Sequence, residues 1–569
     1  MDRFDLGIHT KTISTPYSSA QYWFNKGLNW CYGFNPEEGV KCFLKALEFD
    51  SQCVMAHWGA AYGSGPFYNN VWRQHSRDEA NEAARLCYMH IQNGRKFATT
   101  ATELENRLVE ALAQRFQQPH VVSNEEFDQW DSDYASAMRR VYYAHKNDHD
   151  VMALYAESLM TRTPWKLWDV IRGTPAENAD TLETIEVIEK SIAIKDAEGV
   201  PQHPAILHLH IHATEMSTAP EQALRSADIL GAMCPDAGHM NHMPGHTYVL
   251  CGEYEKAKIA SEKAIRADKL FLEYAGPFNF YTTARCHNLH MMMYTCMFMG
   301  QYEPAMTAAK QMCTTLSKEV LSVKDRPQLA VTLEGYYSMK MHVLTRFGRW
   351  QEIIDEPMLD DRQLYCVSTA MHHYAKGVAH AALKNLDQAE IQKQQFHRAV
   401  SRIPANRVFF NNPAQIILGI AEKMLEGELE YHKGNYEAAF VSLRESVDRN
   451  DSLNYTEPWA WMHPPRHALA ALLIEQGHFD EAEKIYRADL GLSSDLQRCA
   501  QHPDNVWALH GFVECLQRRG ESEELTLYKS KLALAQTKTD VAITSSCLCR
   551  GQITSSEKAS CCKNEQLQS

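Results

Sequence analysis

The segment GEYEKA at residues 252–257 decides the fold of this 569-residue chain, because its pattern returns further along the sequence. A glycine is followed two positions later by an aromatic residue, and in most copies an alanine comes three positions after that. The further copies are GQYEPA (300–305), GRW (348–350), GNYEAA (434–439) and GHFDEA (477–482), with Gly520 after them. Self-similarity of this kind indicates a stack of equivalent structural units.

Each copy predicts a turn between two helices. Glycine adopts positive φ at little steric cost and therefore ends one helix. The aromatic residue begins the next helix, and the small alanine allows the pair to pack closely. Apolar residues recur with the helical period along most of the chain, whereas strand patterns are nearly absent. We therefore predict an all-α fold, an α-solenoid of degenerate helical hairpins forming a right-handed superhelix over residues 1–536.

The composition changes at about Thr537. Residues 537–569 are rich in Ser, Thr and Lys and show no apolar period, which predicts a disordered tail. Its cysteine pairs, CLC (547–549) and CC (561–562), would suit a metal ion or palmitoylation, although a plain tail is the favoured interpretation.

Bulk composition excludes several kinds of partner. A formal charge of −14 and a pI near 6.0 argue against nucleic acids and anionic membranes, which attract basic surfaces. The first residues do not resemble a signal peptide, and the most apolar run, HMMMYTCMFMG (290–300), is too short to span a bilayer. We expect a cytoplasmic protein without a membrane span, whose 16 cysteines act mostly as small buried hydrophobic residues.

The segment HPAILHLHIHATE, which begins at His203, suggests a metal site. In a helix, His208, His212 and Glu215 lie at i, i+4 and i+7 and share one face. Two imidazoles and a carboxylate suit a transition metal such as Zn, Fe or Cu. His210 projects to another face and His203 precedes the proline that begins the helix, so neither is a strong ligand candidate.

A second histidine group follows in GHMNHMPGH. Pro244 fits the first position of a new helix, which places His239 and His242 in the loop before it and His246 in its first turn. Successive hairpins of a solenoid line one concave surface. We therefore expect these three histidines to converge with the face carrying His212 on one metal ion.

Other histidines are weaker candidates. His287 and His290 begin a later helix, and His57 lies beside a glycine-rich turn; a single histidine in such a place is usually a core residue. Imidazoles without a metal, with a pKa of about 6.5, would instead serve as acid–base groups. The sequence contains no glycine-rich phosphate loop, G-x-S-x-G, H-E-x-x-H or C-x-x-C motif.

Five motifs follow one another along the chain: AHWGAAYGSGPFYN (56–69), YASAMRRVYYAHKNDHDVMALYAESLM (134–160), HPAILHLHIHATE (203–215), AGHMNHMPGHTYVLCGEY (237–254) and HNLHMMM (287–293). Over roughly residues 15–525 they resemble a family of large tetratricopeptide-like proteins, found in bacteria and some eukaryotes, with HxxxHxxE and GHxxHMPxH motifs. The chain is more distantly similar to the tetratricopeptide-repeat protein 38 group.

The resemblance implies a helical-repeat architecture and a set of recurring polar positions. Carried over to this sequence, these positions are His208, His212, Glu215, His239, His242, His246, His287, Asn288 and His290. The family usually has tyrosine where this chain has His210, which agrees with a peripheral role for that residue. The resemblance implies no particular reaction or substrate.

Two functions remain open. In one, the histidine-lined groove binds a transition metal or a small polar ligand, and the metal supports oxidation or hydrolysis of a small-molecule substrate. In the other, the protein is a non-catalytic scaffold whose concave groove binds a peptide or protein partner. Whether the protein is an enzyme depends on the site, because the fold serves both functions.

Overall fold

The computed structural model describes residues 3–324 and 326–550. Within these ranges α-helices are joined by short turns, and the predicted all-α solenoid is confirmed. The first fourteen helices are α1 (Ser18–Tyr32), α2 (Pro36–Phe49), α3 (Val54–Ser64), α4 (Arg77–Lys96), α5 (Glu103–Ala113), α6 (Asn124–Ala144), α7 (His149–Met160), α8 (Thr181–Glu198), α9 (Pro204–Thr214), α10 (Leu224–Leu230), α11 (Gly238–His242), α12 (Pro244–Leu250), α13 (Tyr254–Ala275) and α14 (Thr282–Phe298).

The remaining helices are α15 (Tyr302–Thr315), α16 (Lys318–Leu321), α17 (Gln328–Leu333), α18 (Met339–Arg346), α19 (Trp350–Asp355), α20 (Cys366–Ala382), α21 (Leu386–Val400), α22 (Ala414–His432), α23 (Tyr436–Asp451), α24 (Pro465–Glu475), α25 (Phe479–Asp489), α26 (Val506–Arg519) and α27 (Glu523–Gln536). Two short antiparallel hairpins pair β1 (Trp168–Asp169) with β2 (Thr174–Pro175) and β3 (Val408–Phe409) with β4 (Asn412–Pro413). Short 3-10 turns occupy Trp72–Gln74, Ala98–Thr100, Pro220–Ala223, Glu334–Ser338 and Arg498–Ala500.

The repeat glycines end helices as the sequence predicts. All six have positive φ, between 60° and 103°: Gly252, Gly300, Gly348, Gly434, Gly477 and Gly520. At Gly252 a side chain is excluded for a second reason, because a Cβ atom there would lie 2.8 Å from the carbonyl oxygen of Pro503. The alanines of the pattern are fully buried where the paired helices meet: Ala257, Ala305, Ala439 and Ala482.

Two helix turns use a residue other than glycine. Phe34, between α1 and α2, has φ 55°, and Lys384, between α20 and α21, has φ 61°. This region of φ is sterically unfavourable for side chains with a Cβ atom. The glycine pattern therefore does not reveal the α20–α21 hairpin, although its two helices pack against each other as the other pairs do.

The two ends of the solenoid pack back onto its centre. Near the N-terminus, the Glu37 carboxylate accepts the backbone N–H of Phe280 at 3.1 Å and pairs with Arg326 at 2.6 Å. Near the C-terminus, the Trp507 indole N–H donates to the carbonyl of Met297 at 2.7 Å. A continuous hydrophobic core results, and the central helices are enclosed from both sides.

The segment after α27 also packs against the solenoid. Ile543 is buried, and the Asp540 carboxylate accepts the backbone N–H of Tyr302 at 2.6 Å. The predicted tail boundary therefore does not mark the end of the packed chain, because this segment finds apolar and polar partners at the turns between hairpins. Residues 551–569, which include the second cysteine pair, lie outside the described residues.

Most cysteines behave as expected. Among the described residues, ten of the twelve free cysteines are buried, and the other two are partly buried. Cys547 and Cys549 differ, because their sulfur atoms form a disulfide. None of the helices in the described ranges is both long and apolar enough to cross a bilayer.

Candidate metal centre

Helix α9 presents His208 and His212 on one face, with ring centroids 5.0 Å apart. Glu215, at the C-terminal end of the helix, extends this face, and its Oε1 lies 2.8 Å from His212 Nδ1. His210 points elsewhere, with Nδ1 2.8 Å from the hydroxyl oxygen of Ser226. The structure therefore shows the shared face that the helical spacing predicts, and it buries that face completely.

The next histidines lie in helices, which differs from the predicted loop. His239 and His242 belong to α11, and Met243 keeps helical angles (φ −50°, ψ −40°) between α11 and α12. Pro244 occupies the first turn of α12, as predicted. Because the intervening residue is helical, His242 and His246 are i, i+4 neighbours and face the same way.

Six imidazoles form two adjacent groups, which we call the first trio and the second trio. The first consists of His208, His212 and His239, and the second of His242, His246 and His287. Within each trio the candidate ligand nitrogens lie within 4.8 Å of one another. The trios are neighbours, because the ring centroids of His212 and His246 are 5.6 Å apart.

The nitrogen separations are close to those of a coordination sphere. His208 Nε2 lies 3.2 Å from His239 Nε2. In the second trio, His242 Nε2 lies 2.7 Å from His246 Nε2 and 2.9 Å from His287 Nε2. Tetrahedral ligands held about 2.0–2.1 Å from a zinc ion are about 3.3 Å apart. The three measured separations are therefore close to those of a metal site, and the remaining nitrogens of both trios lie within 4.8 Å of one another.

Hydrogen-bond acceptors behind the rings fix their orientation. Glu215 bridges the trios, since its second oxygen, Oε2, lies 2.6 Å from His246 Nδ1 while Oε1 faces His212. His208 Nδ1 faces the carbonyl oxygen of Tyr32 at 2.8 Å. An acceptor at Nδ1 holds the ring proton there, so the Nε2 lone pair points into the trio and is available to a metal.

A second carboxylate, from Glu457, lies beside the bridge and was not selected by sequence reasoning. It belongs to a group with His212, Glu215 and His246 whose candidate ligand atoms are within 4.8 Å of one another. Its Oε1 accepts the indole N–H of Trp165 at 3.0 Å, while its buried Oε2 has no hydrogen-bond partner among the described residues.

Burial raises the pKa values of both carboxyls, Glu215 and Glu457, well above the usual range. Within the described chain neither of them pairs with a lysine or arginine. A bound cation would supply the missing positive charge.

Burial also lowers the pKa of every imidazole in the trios. The pKa of His212 falls to about 3, and that of His287 falls to about 3 with a further contribution from His212. The rings are therefore neutral near pH 7, which is the form that binds metals. This result weakens the acid–base alternative, because efficient proton transfer needs a pKa near the working pH.

A cavity of about 190 Å³ reaches both trios. His239 of the first trio and His287 of the second line it. Its aromatic wall consists of Phe34, Phe67, Trp165, Phe280, Tyr336 and Phe410. The histidines are thus approached through an aromatic cavity, whose aromatic lining the sequence did not indicate.

The helices around the second trio form a recognisable repeat, in which α11 and α12 are followed by the turn at Gly252 and then by α13. Residues 239–269 match the tetratricopeptide-repeat family model. This tetratricopeptide repeat supplies three of the six imidazoles, from His239, His242 and His246. No curated protein sequence matches the chain.

Three solved structures illustrate how distant the structural likenesses are. Yeast Tom70 is 11% identical, with a TM-score of 0.27 over 91% of this chain and 93% of its own. Ypp1 is 10% identical, with a TM-score of 0.33 over 91% and 82%. The Cut9–Hcn1 hetero-tetramer is 10% identical, with a TM-score of 0.24 over 91% and 94%. Scores this low carry no functional argument.

Two weaker sequence candidates stay outside the trios. His290 stacks on Phe410 with ring centroids 4.7 Å apart, and neither of its nitrogens has a hydrogen-bond partner among the described residues. His57 faces His90, with their Nδ1 atoms 3.2 Å apart, and the carbonyl of Ser51. The structure therefore brings only His287, of the three weaker candidates, to the centre.

His203 belongs to a different polar cluster. Its Nε2 lies 3.2 Å from the Asp150 carboxylate, which also faces His9 at 3.0 Å. Lys11 approaches the same carboxylate at 3.5 Å and supplies a positive charge there. With that charge already balanced, this cluster is better explained as a tie between the N-terminal segment and α7 than as a metal site.

Proposed function

We propose that the protein binds two transition-metal ions, one in each histidine trio, and is a metal-dependent oxidative enzyme. One observation carries the proposal: six imidazoles, five buried and the sixth, His287, partly exposed, form two adjacent trios that share Glu215 as a common hydrogen-bond acceptor. Acceptors of this kind orient metal-binding histidines and raise their basicity. Burying polar rings is unfavourable unless they gain partners, so six imidazoles gathered in two trios favour a bound ligand over simple packing.

The donor set favours copper, with zinc and iron as the other candidates. Both trios offer neutral nitrogen atoms, and imidazole suits Cu, Zn and Fe better than Mg or Ca. Both oxygens of Glu215 are engaged by ring nitrogens, so this carboxylate does not bridge the metals directly. Among divalent ions of the first transition row, copper binds nitrogen sites most tightly.

The cavity indicates the class of substrate. Its aromatic wall and its volume suit a small molecule with an aromatic or apolar body, and Arg326 and Asn411 at its lining offer polar contacts. With copper bound, we propose that such a substrate loses two electrons and two protons, which dioxygen accepts. With zinc bound, hydrolysis replaces oxidation as the reaction class.

Metal analysis tests the proposal directly. Protein that keeps the Cys547–Cys549 disulfide, produced with copper, zinc and iron available and then freed of loosely bound metal, is expected to contain about two ions per chain. The double variant His212→Asn/His246→Asn is expected to lose both, while His210→Asn, changed on another side of α9, keeps them. Near-zero metal in the folded wild-type protein would refute the proposal, as would equal content in the double variant.

Oxygen consumption then tests the reaction. The copper-loaded protein is expected to consume dioxygen in the presence of small phenols, whereas the zinc-loaded protein is not. If the loaded protein holds two copper ions but oxidises none of the phenols tested, the metal site stands and the proposed substrate class is wrong.

A second candidate function, binding of a peptide, is favoured by the segment after α27. This segment lies across the turns of several hairpins: the Ser546 carbonyl accepts from Arg346 at 3.1 Å, and its hydroxyl donates to the His467 carbonyl at 3.0 Å. A fluorescent peptide of residues 538–550 is expected to bind a chain truncated before it. A failure to bind, with the truncated chain still folded, would remove this candidate.

A further inference from the structure

The cysteine pair at the end of the described chain lies against helix α22. One carboxylate oxygen of Glu428 and the two sulfur atoms, of Cys547 and Cys549, are all within 4.8 Å of one another. The segment is held in place by Arg550, whose guanidinium donates to both oxygens of Glu514 at 2.8 and 3.0 Å. This interaction fixes the segment, so both sulfur atoms lie beside Glu428.

Two neighbouring side chains of α22, one of them Glu428, have buried polar atoms without hydrogen-bond partners among the described residues. Glu428 is 1% exposed, and its Oε2 has no hydrogen-bond partner among the described residues. His432 lies one helical turn later. Its buried Nε2 also has no hydrogen-bond partner among the described residues and lies 3.9 Å from Glu428 Oε2. Unpaired polar atoms in the interior are costly, and each one calls for an explanation.

The charges around Glu428 and His432 give the same indication. No lysine or arginine pairs with Glu428 in the described part of the chain, and a cation is the partner that would satisfy both residues.

We propose that the reduced cysteine pair, together with Glu428 and His432, binds one Zn²⁺ ion that fastens the C-terminal segment to α22. Thiolate, imidazole and carboxylate are all zinc ligands, and these four groups would complete a tetrahedral, four-coordinate site. Cys547 and Cys549 are two positions apart in the C-terminal segment, and Glu428 and His432 are one helical turn apart in α22. This site is separate from the histidine trios in residues, in donor chemistry and in role.

The disulfide and the zinc site are alternative states of the same two sulfurs. A dithiol reductant gives two electrons and two protons to the Cys547–Cys549 disulfide and is itself oxidised to a disulfide. The two thiols then lose their protons to solvent as Zn²⁺ binds them. Oxidation by a disulfide reverses these steps and releases the ion, so fastening of the segment by zinc depends on the thiol–disulfide balance of the surroundings.

Cobalt substitution tests the proposal in the full-length chain. Co²⁺ added to reduced protein is expected to give a near-ultraviolet sulfur-to-cobalt charge-transfer band, which saturates at one ion per chain in the variant His212→Asn/His246→Asn, where the trios do not compete for cobalt. Zn²⁺ added afterwards is expected to remove it. Imidazole ligands give no such band, so cobalt bound in the trios does not interfere, and His212→Asn/His246→Asn is expected to keep the band.

Variants assign the ligands. Cys549→Ser is expected to abolish the band, and Glu428→Gln to weaken cobalt binding at least tenfold, whereas changing both cysteines of the 561–562 pair to serine leaves the band intact. Circular dichroism checks that each variant is folded. The proposal is overturned if reduced wild-type protein shows no band, if Cys549→Ser keeps it, or if the 561–562 double variant loses it.

Discussion

Replacing Glu215 by glutamine tests the idea that one carboxylate orients both trios. The carboxylate accepts from His212 Nδ1 at 2.8 Å and from His246 Nδ1 at 2.6 Å. A glutamine of the same shape has one accepting oxygen and one donating NH₂ group. One of the two rings must then move its proton from Nδ1 to Nε2, where it points at the metal position.

The expected loss is tenfold to hundredfold in the affinity of the affected trio, or about 1.4–2.8 kcal/mol. The other trio keeps its acceptor and is expected to change less. Stability of the metal-free protein is expected to fall little, because the substitution preserves volume and removes a buried carboxylate whose desolvation is unfavourable.

Competition with a chromophoric chelator measures the two affinities, and thermal unfolding of the metal-free protein measures stability. The matched control is Glu334→Gln, another fully buried carboxylate, which accepts the backbone N–H groups of Val367 and Ser368 at 3.1 and 2.9 Å. The reasoning fails if Glu215→Gln binds both metal ions as tightly as wild type, or if the Glu334 variant shows the same loss.

Three further predictions concern the second trio and the repeat turns. His287→Asn is expected to lower the metal content from about two ions to about one, while His290→Asn on the same helix leaves two. Burial lowers the pKa of His287 to about 3, so between pH 6.5 and 3 this ring is protonated in the unfolded chain but neutral in the folded chain. The free energy of unfolding of the metal-free protein, measured with urea, is therefore expected to fall over this range as the pH falls, by about 1.4 kcal/mol per pH unit for each such ring. In chemical denaturation, Gly477→Ala is expected to cost about 1–2 kcal/mol, since its φ is 83° but a Cβ atom there meets nothing within 4 Å. Gly252→Ala is expected to cost more, because its Cβ atom also meets the Pro503 carbonyl; equal losses at the two glycines would contradict this.

Local pattern was sufficient to predict the helical repeat and one face of the site. The turn in each Gly-x-aromatic copy requires positive φ, and a glycine at that position makes the turn recognisable in the sequence. Lys384 adopts positive φ without being a glycine, so the glycine pattern does not indicate the turn between α20 and α21. Helical spacing likewise placed His208 and His212 together, because their relation depends on one helix alone.

The remaining parts of the site depend on contacts between distant segments. His287 reaches His242 only because α14 packs beside α11, and nothing in its neighbouring residues indicates that position. Glu457 lies in an irregular stretch between α23 and α24. No periodic pattern covers that stretch. The position of Glu457 beside the trios is therefore apparent only in the folded structure, where the ends of the solenoid pack onto its centre.

The enclosure of the trios by both ends of the chain has a consequence for how the protein is made. The ribosome releases His287 well before Glu457, and at ordinary synthesis rates the gap between them lasts roughly ten to thirty seconds. During that interval all six histidines have been synthesised, but the C-terminal part of the chain that covers them has not. Metal supplied during synthesis can enter an open nascent chain, whereas metal supplied to the finished protein must pass through the cavity. Proteins made in metal-rich and metal-poor cells should therefore differ in metal content even after equal exposure to metal following purification.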